Sequence, residues 1–409
     1  MPTRVRMRIL VHDYAGHAAP AQLARALAGR GHDVHYVFRT SALVRKGPLE
    51  REPKDPGGFD TIGIDQKADE LEGQMTLKAL VNRRKLEAEF GGRVAQHLRL
   101  FEPDVVLSAH APLETDAHVL RVAKETGVRF VKWMYELRTF TAQQLFNKKL
   151  LGMGRAAARY YSSMEEKQTT GADALVLASP DFEEPLRGWG VAEEKMRVVQ
   201  DWAPIKLYPE RPQVNAWSHQ HGLSGRRVFL FAGTLDLQHD PELFARLAAH
   251  FSTEERHKDI RVVVVSEGPG AEALRALKQE RTLDNLLLLP FQAQDEMPNA
   301  LASATILMAT LPHEAGPYAI PSKVATAMCA GRPLLLSMPV ENLAARTVER
   351  ERAGVVVDAI GTQGFLDAAT DLLALNHELL AMGRRAREYA ERSFQTEQIT
   401  HRFEEVLVG

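Results

Sequence analysis

The sequence predicts an α/β protein built from two Rossmann-like domains, each a parallel sheet covered by helices. Three observations lead to this fold class. Short apolar runs alternate with helical stretches, the alternation starts afresh near residue 227, and a Pro-rich stretch at 204–212 separates the two series. The chain has 409 residues, which is more than one ordinary core needs and suits two domains of about 200 residues.

The first series opens with the apolar run at 7–11, which ends in a polar loop at 12–16. A helical stretch, a Gly turn and a second strand follow, which is the opening unit of a doubly wound parallel sheet. Further buried strands are predicted at 104–108, 129–134, 174–178 and 196–199, with helices at 114–125 and 155–171.

The second series repeats the alternation. Strands are predicted at 227–232, 260–265, 286–289, 304–309, 333–337 and 354–357, with helices at 240–251 and 322–330. The tail at 365–408 is helical by periodicity and carries a break at Ser393 and Phe394. We therefore predict domains at 1–205 and 206–390, and a C-terminal helix at 391–409 that packs back on the first domain.

The composition is that of an ordinary soluble protein, with 45% hydrophobic residues, 25% charged residues and a formal net charge of -2. These values argue against bulk nucleic-acid binding. One cysteine, Cys329, excludes an intramolecular disulfide and a metal site built from cysteines. No run of about 18 apolar residues occurs, and the N-terminal apolar run is too short for a signal peptide. We expect a cytoplasmic location.

Ligands of open parallel sheets bind beyond the carboxyl ends of the strands. The sequence has neither a Gly-x-Gly-x-x-Gly after its first strand nor a Walker phosphate loop. Instead, an irregular loop at 313–321 leads into a helix with Ser322 as the predicted N-cap. The amides of this helix start and the charge of Lys323 would suit a diphosphate, whereas the alternative is a surface helix with a solvated lysine.

Four segments of the second series resemble the family 4 glycosyltransferases of the GT-B fold. The similarity lies in FAGTLDLQHDPELFARL (231–247), VVVVSEGPGAEALRAL (262–277), LLLLPFQAQDEMPNALASATILMATL (286–311) and HEAGPYAIPSKVATAMCAGRPLLL (313–336). It is closest to the subgroup that builds bacterial surface polysaccharides and has Pro-Ser-Lys before Ala-Gly-Arg-Pro. Segments of the first domain fall in family order, so that nearly the whole chain is covered.

By this resemblance the second domain binds a nucleotide-sugar donor, which we expect to be a uridine diphosphate (UDP) sugar. The residues so implied are Gly233 and Thr234 near the phosphates, Gly268 near the nucleoside, Phe291 and Gln292 around the base, and Glu314, Gly316, Tyr318, Pro321, Ser322 and Lys323 around the diphosphate and sugar.

In the first domain, the resemblance implies that Gly16 and His17 close on the donor and that His110 lies near the anomeric carbon and the acceptor. It also implies a retaining hexosyl transfer onto a glycan, lipid-linked or small-molecule acceptor held between the domains. Amides, a helix N-terminus and one or two cations can stabilise a leaving diphosphate. We therefore expect neither a metal nor another cofactor, because the nucleotide sugar is a substrate.

The chain departs from the family pattern in its charged residues. Many members grip the ribose with a glutamate at the position of Thr326, and a gapless alignment puts Tyr318 at the preceding conserved glutamate. Many members also have Arg and Lys where this chain has Thr234 and His239. Neutralising the phosphates would then fall to Lys323 and Arg332.

These departures leave two other functions open. One is a nucleotide-sugar epimerase or hydrolase of the same fold, which would turn over the donor without an acceptor. The other is a non-catalytic nucleotide-sugar binding protein.

Two basic segments, 146–159 and 83–85, could contact an anionic membrane surface at its inner face or form solvated helix faces.

Overall fold

The computed structural model describes residues 6–41, 48–66, 77–140, 153–235, 239–253, 255–375 and 377–409. The chain forms two compact units, one of Met1–Asp201 with Thr396–Gly409 and one of Trp202–Gln395. The domain boundaries predicted from the sequence fall after residues 205 and 390.

The first unit is a parallel sheet with its covering helices. Its elements are β1 (Arg8–Asp13), α1 (Ala18–Gly29), β2 (Asp33–Arg39), β3 (Phe59–Ile64), α2 (Leu77–Phe101), β4 (Val105–Ala109), α3 (Leu113–Thr126), β5 (Arg129–Met134), α4 (Met153–Gly171), β6 (Ala174–Leu177), α5 (Glu183–Gly188) and β7 (Met196–Val198). Within the described residues the strand order is β3-β2-β1-β4-β5-β6-β7, and every pair is parallel. The strands β1, β4 and β5 are almost fully buried, as central strands covered by helices on both sides are, and they carry the buried polar side chains of His12, Asp13, Ser108 and Lys132.

The second unit repeats this architecture. Its elements are α6 (Ala216–Gln220), β8 (Arg227–Ala232), α7 (Pro241–Ser252), β9 (Ile260–Val265), α8 (Pro269–Glu280), β10 (Leu286–Leu289), α9 (Met297–Ala302), β11 (Ile306–Thr310), α10 (Ser322–Cys329), β12 (Leu334–Ser337), α11 (Leu343–Arg350), β13 (Gly354–Val357), α12 (Gln363–Ala374) and α13 (His377–Ser393). In the part of the unit that is described, the order is β10-β9-β8-β11-β12-β13, again all parallel. Phe229, Phe231, Phe244 and Phe251 fill the core between this sheet and its helices.

The last helix, α14 (Thr396–Val408), belongs to the first unit. Glu404 accepts hydrogen bonds from Arg30 Nε at 3.0 Å and pairs with His32 Nε2 at 2.9 Å. Phe403 packs edge-on against the Trp133 ring, with the ring centroids 4.6 Å apart. The predicted two-sheet fold with a returning C-terminal helix is therefore confirmed.

Candidate functional site

The order of each sheet reverses at its centre, between β1 and β4 in the first unit and between β8 and β11 in the second. At such a reversal the flanking loops diverge and leave a crevice beyond the carboxyl ends of the strands. The residues predicted to bind the donor lie mostly in the loops at this edge of the second sheet, and those predicted for the acceptor lie at this edge of the first.

Lys323 lies against the end of β8 in the second unit. Its ammonium is 5.4 Å from the centroid of the Phe231 ring. Gly233 has φ 141, and a Cβ added there would lie 2.3 Å from Lys323 Cε and 3.0 Å from Cδ. The absent side chain of Gly233 is thus what leaves room for the lysine stem. The structure brings together these two predicted residues, which are distant in sequence.

The start of α10 differs from the prediction in one respect. Ser322 is not the N-cap: it is the first helical residue, and the cap is Pro321, whose backbone is extended at φ -80 and ψ 90. The Pro321 carbonyl accepts the Val324 amide at 2.9 Å. Because proline cannot offer a side-chain cap, no N-cap side chain caps this helix start.

The loops after β9 and β10 form a second group. Gly268 has φ 101 and is the N-cap of α8, a conformation that favours glycine. The Glu267 carboxylate accepts the Phe291 amide at 3.2 Å. Gln292 accepts a hydrogen bond from the indole of the buried Trp217 at 2.9 Å. Trp217 was not predicted from the sequence, because it lies outside the donor motifs and far along the chain from Gln292.

Thr326, at the position of the family glutamate, lies beside the buried phenol of Tyr208. Burial raises the pKa of Tyr208, while hydrogen bonds with Gln294 and Thr326 act to lower it. The Gln294 amide donates to the Tyr208 hydroxyl at 3.2 Å. Sequence reasoning missed Tyr208 and Gln294. Tyr208 lies in the Pro-rich stretch interpreted as a linker, so no motif marked it.

The loop before α10 is a 3-10 segment, His313–Tyr318, with Gly316 at φ 50. The side-chain amide of the fully buried Asn342 holds it by donating to the Gly316 carbonyl at 2.9 Å and the Ala319 carbonyl at 2.8 Å. Glu314 lines a cavity of about 230 Å³ together with His239, Asp240, Thr310, Ser337 and Thr362, among others. Gly233, Thr234 and Lys323 are not among its lining residues.

Arg332 does not belong with the phosphate residues. It directly precedes Pro333 and β12, so it lies at the amino-terminal edge of the parallel sheet, opposite the end of β8. Its guanidinium donates to the Arg211 carbonyl at 3.0 Å, and burial lowers its pKa. The expectation that Arg332 shares the neutralisation of the phosphates is therefore wrong. The helix α10 starts at the carboxyl edge of the sheet and runs back to the opposite edge, where Arg332 lies before β12 begins.

In the first unit, Asp13 anchors the loop that carries Gly16 and His17. The Asp13 carboxylate accepts the amides of Ala15, at 3.0 Å, and of His17, and it contacts His17 Nδ1 at 3.1 Å. Burial acts to raise the pKa of Asp13, but the charge and hydrogen bonds of His17 bring it below its ordinary value. Gly16 has φ 67, which favours glycine.

His110 follows β4 in the left-handed region, at φ 50. Its imidazole stacks on His17 with a centroid separation of 4.3 Å and on Tyr135 at 3.3 Å. The structure thus brings together the predicted His17 and His110. A non-glycine residue at positive φ is uncommon and tends to be found at functional sites.

A buried charge network lies beneath these imidazoles. Asp116 accepts a hydrogen bond from Ser108 Oγ and pairs with Lys132 Nζ at 2.8 Å. Lys132 also donates to Gln168 at 2.9 Å. Burial lowers the pKa of His12 to about 4, although Asp116 and Asp13 act to raise it. His12 is therefore a neutral imidazole near pH 7.

Within the described part of the chain, no three or more His, Cys, Asp or Glu side chains are grouped so that they could hold a metal ion. No helix of the same residues combines the length and apolar character needed to cross a membrane.

Comparison with known proteins gives two family matches, a Glycosyl transferase 4-like domain over residues 16–202 and a Glycosyl transferases group 1 domain over residues 226–375. The chain is 22% identical over 312 residues to the putative colanic acid biosynthesis glycosyl transferase WcaI of Escherichia coli K12, which covers 75% of this chain and 74% of WcaI.

Solved structures share the fold along almost the whole chain. Sucrose-phosphate synthase from Thermosynechococcus elongatus has a TM-score of 0.73 at 16% identity, with 98% of both chains covered. Anabaena HepE in complex with UDP-glucose has a TM-score of 0.70 at 13% identity, with 98% of this chain and 100% of HepE covered.

Proposed function

Since the chain belongs to the family 4 glycosyltransferases of the GT-B fold, we propose that it transfers a hexosyl group from a UDP-sugar, with retention of anomeric configuration, onto a glycan, lipid-linked or small-molecule acceptor. That the chain is a glycosyltransferase follows from its family. The donor, the stereochemistry and the acceptor are our proposals.

The position of Lys323 carries this proposal. Its ammonium lies beside the end of β8, where the family resemblance puts the donor phosphates, and it belongs to the first turn of α10, whose dipole also favours an anion. The segment after β8 supplies Thr234 in place of a cation. We therefore assign to Lys323 the charge that the leaving diphosphate requires.

A UDP-sugar is supported by two kinds of evidence. HepE, which shares the fold, has been solved with UDP-glucose. In this chain, Gln292 is held by the Trp217 indole and Phe291 by Glu267, so the segment proposed to frame the base is fixed before any ligand arrives. A preformed frame reduces the entropy lost on binding.

We propose that Tyr208 and Thr326 bind the ribose of the donor. A ribose hydroxyl needs a hydrogen-bonding partner, and Thr326 cannot replace a glutamate carboxylate alone. The Tyr208 hydroxyl, oriented by Gln294 at 3.2 Å, adds a second polar group at the same place. Neutral hydrogen bonds of this kind contribute about 0.5–1.5 kcal/mol each, which is enough for a measurable preference for ribose.

Retention and the absence of a metal requirement complete the proposed chemistry. Charge grows on the diphosphate as the bond to the anomeric carbon breaks, and the donors at the α10 start and Lys323 stabilise it there. The acceptor hydroxyl attacks the same face. We assign the acceptor to the first unit, where His110 and the Asp13-anchored His17 are stacked and oriented before substrate binds.

The acceptor class is supported by WcaI, whose name assigns it to the synthesis of colanic acid. For the peripheral membrane contact, the structure describes one of the two basic segments in full. Arg84 is ion-paired with Glu114 at 2.6 Å, which favours a solvated face for 83–85, and 146–152 lies outside the described residues. The buried single thiol of Cys329 agrees with a cytoplasmic location.

A thermal-shift series with UDP, GDP and dTDP tests the proposal. A ligand that binds only the folded protein raises the melting temperature by mass action. We expect UDP to give the largest rise and UDP-glucose turnover to yield a product with retained configuration by NMR. Stabilisation by GDP or dTDP without UDP would refute the donor assignment, and an inverted product would refute the proposed stereochemistry.

A further inference from the structure

Three arginines of the first unit, Arg39, Arg83 and Arg138, interact electrostatically with one carboxylate, Glu87, and act to lower its pKa. We call them the arginine cluster. Arg39 is the last residue of β2, Arg83 lies in α2, and Arg138 follows β5. The role assigned to Asp13, His17 and His110 does not use any of them.

The cluster lies at the carboxyl edge of the first sheet. Phe38 pairs in register with Asp13, so Arg39 stands level with Tyr14, in the loop that leads to His17. The Arg39 guanidinium stacks on the Tyr14 ring, 4.4 Å from its centroid, and donates to the Tyr14 hydroxyl at 3.1 Å. These contacts fix a cation at the edge to which the acceptor is assigned.

Arg39 is only 6% exposed, and its Nε makes no hydrogen bond within the described residues. A buried N–H group without a partner costs free energy, and more so when the group is charged. Guanidinium groups match phosphate oxygens with two parallel N–H donors. An oxyanion beside Arg39 would supply the missing acceptor.

Glu87 is the carboxylate that the three arginines share, and a single carboxylate does not balance three guanidinium charges. Burial raises the pKa of Glu87 to about 7, against the lowering effects of Arg138, Arg83 and Arg39 and with a raising contribution from Glu114. Glu114 itself is paired with Arg84 at 2.6 Å, and Arg138 Nε contacts Glu136 at 3.1 Å. The charged and titratable groups that interact with Glu87 come from β2, α2, α3, the segment after β5, and α4: Arg39, Arg83, Glu114, Arg138 and Tyr161. Arg138 also interacts with the carboxylates of Glu136, Glu165 and Asp116, so Arg39 and Arg83 are the members of the cluster that an added anion would meet.

We propose that the arginine cluster is a subsite for a phosphate group carried by the acceptor. This inference rests on the proposed function, in which the first unit receives the acceptor. Phosphate would take the place beside the guanidinium groups that a charged Glu87 otherwise occupies. The same phosphate chemistry occurs in a soluble sugar phosphate and in a lipid-linked phosphate, so the subsite restricts the acceptor to these two sources.

The test is titration calorimetry of inorganic phosphate into the full chain saturated with UDP, so that the donor site is already occupied. We expect binding to the wild type and at least a tenfold loss in Arg39→Gln and Arg83→Gln. Arg84→Gln, the matched control, removes the neighbouring arginine that Glu114 and Tyr160 hold outside the cluster, and should bind like the wild type.

Sulfate, whose charge is constant between pH 6 and pH 8, tests the part played by Glu87. We expect wild-type affinity for sulfate to fall as pH rises from 6 to 8, because Glu87 loses its proton near pH 7, and Glu87→Gln to remove most of that fall. Stronger competition by glucose 6-phosphate identifies a soluble acceptor. Stronger competition by phosphatidylcholine vesicles containing phosphatidic acid identifies a lipid-linked one.

Equal losses in Arg84→Gln and Arg83→Gln, or no phosphate binding to the UDP-saturated wild type, would overturn the inference. If Arg39→Gln has a lowered melting temperature, the more exposed Arg83→Gln decides. The proposed function fails separately: a chain that does not bind UDP contradicts it, whereas one that binds UDP but no phosphate contradicts only the subsite.

Discussion

Replacing Lys323 by methionine removes the charge at the end of β8 and keeps the length and most of the apolar stem. The ammonium lies 5.4 Å from the Phe231 centroid, a contact worth about 0.5–1 kcal/mol at a partly exposed site. A methionine sulfur can replace part of it. A charge-assisted contact to a phosphate contributes about 1.5–3 kcal/mol, so the expected loss falls on the ligand and leaves the fold nearly unchanged.

Two measurements separate binding from catalysis. UDP affinity by titration calorimetry should fall by about tenfold to over a hundredfold, which is the phosphate contact converted at about 1.4 kcal/mol per factor of ten. Slow hydrolysis of UDP-glucose without an acceptor reports the stabilisation of the leaving group, and it should fall at least as far because charge grows there in the transition state.

Lys278→Met is the matched control. It makes the same change in the last turn of α8, which ends at the opposite edge of the same sheet, and UDP affinity should not change. Gly233→Ala tests the same geometry from the other side: the new methyl group would meet Lys323 Cε at 2.3 Å, so it should displace the ammonium and weaken UDP binding without removing a charge. Lys323→Met with wild-type UDP affinity and hydrolysis would show that the phosphates are held elsewhere.

Four further outcomes are expected. Glu87→Gln should stabilise the protein by about 1–3 kcal/mol at pH 8 and little at pH 4, measured by denaturant unfolding. The pKa of Glu87 in the folded protein, about 7, lies above its ordinary value of 4.5, so wild-type stability falls as pH rises between these values. No such difference would contradict the burial of Glu87. Tyr208→Phe should reduce the preference for UDP over 2′-deoxy-UDP by about three- to tenfold, and an unchanged preference would place ribose recognition elsewhere. EDTA should leave the rate of UDP-glucose turnover within about twofold of the untreated rate, and a larger fall would show that a metal takes part. Vesicles with anionic lipid should bind the wild type and an Arg84→Gln, Lys85→Gln double variant equally if that helix face is only solvated, and selective loss in the variant would support membrane docking.

Much of the fold could be predicted because most strands of a parallel sheet are continuous apolar runs. The predicted strands 129–134, 227–232, 260–265, 286–289 and 354–357 have the observed bounds. The edge strand β3 was not predicted, since FDTIGI contains a glycine and an aspartate and only two of its residues are buried. The helical tail also divides once more than predicted, after Ala374, because periodicity alone does not mark a break between two amphipathic helices.

The candidate site was harder to predict, because its contacts cross between segments that are distant in sequence. The glycines at positive φ, Gly16, Gly233 and Gly268, could be located by their place after apolar runs. Nothing in the sequence indicated that Tyr208 meets Thr326, or that Asn342 holds the loop at 316–319. Arg332 was misplaced for the same reason, since a helix of eight residues separates it from the edge where its neighbours in sequence lie.

The two departures from the family pattern share a physical explanation. A diphosphate needs a cation near the end of β8, but it does not matter which element carries it, because the interaction depends on distance and exposure. Here the segment after β8 contributes space through Gly233, and α10 contributes the charge through Lys323. At the position that we propose for the ribose, Thr326 hydrogen-bonds with the phenol of Tyr208, which comes from another segment. In both cases an uncharged residue at the family position, Thr234 or Thr326, is matched by a longer side chain from elsewhere, Lys323 or Tyr208. Gly233 with Lys323, and Thr326 with Tyr208, should therefore behave as coupled pairs: in double-mutant cycles on UDP affinity, the loss from Gly233→Ala with Lys323→Met should be smaller than the sum of the single losses.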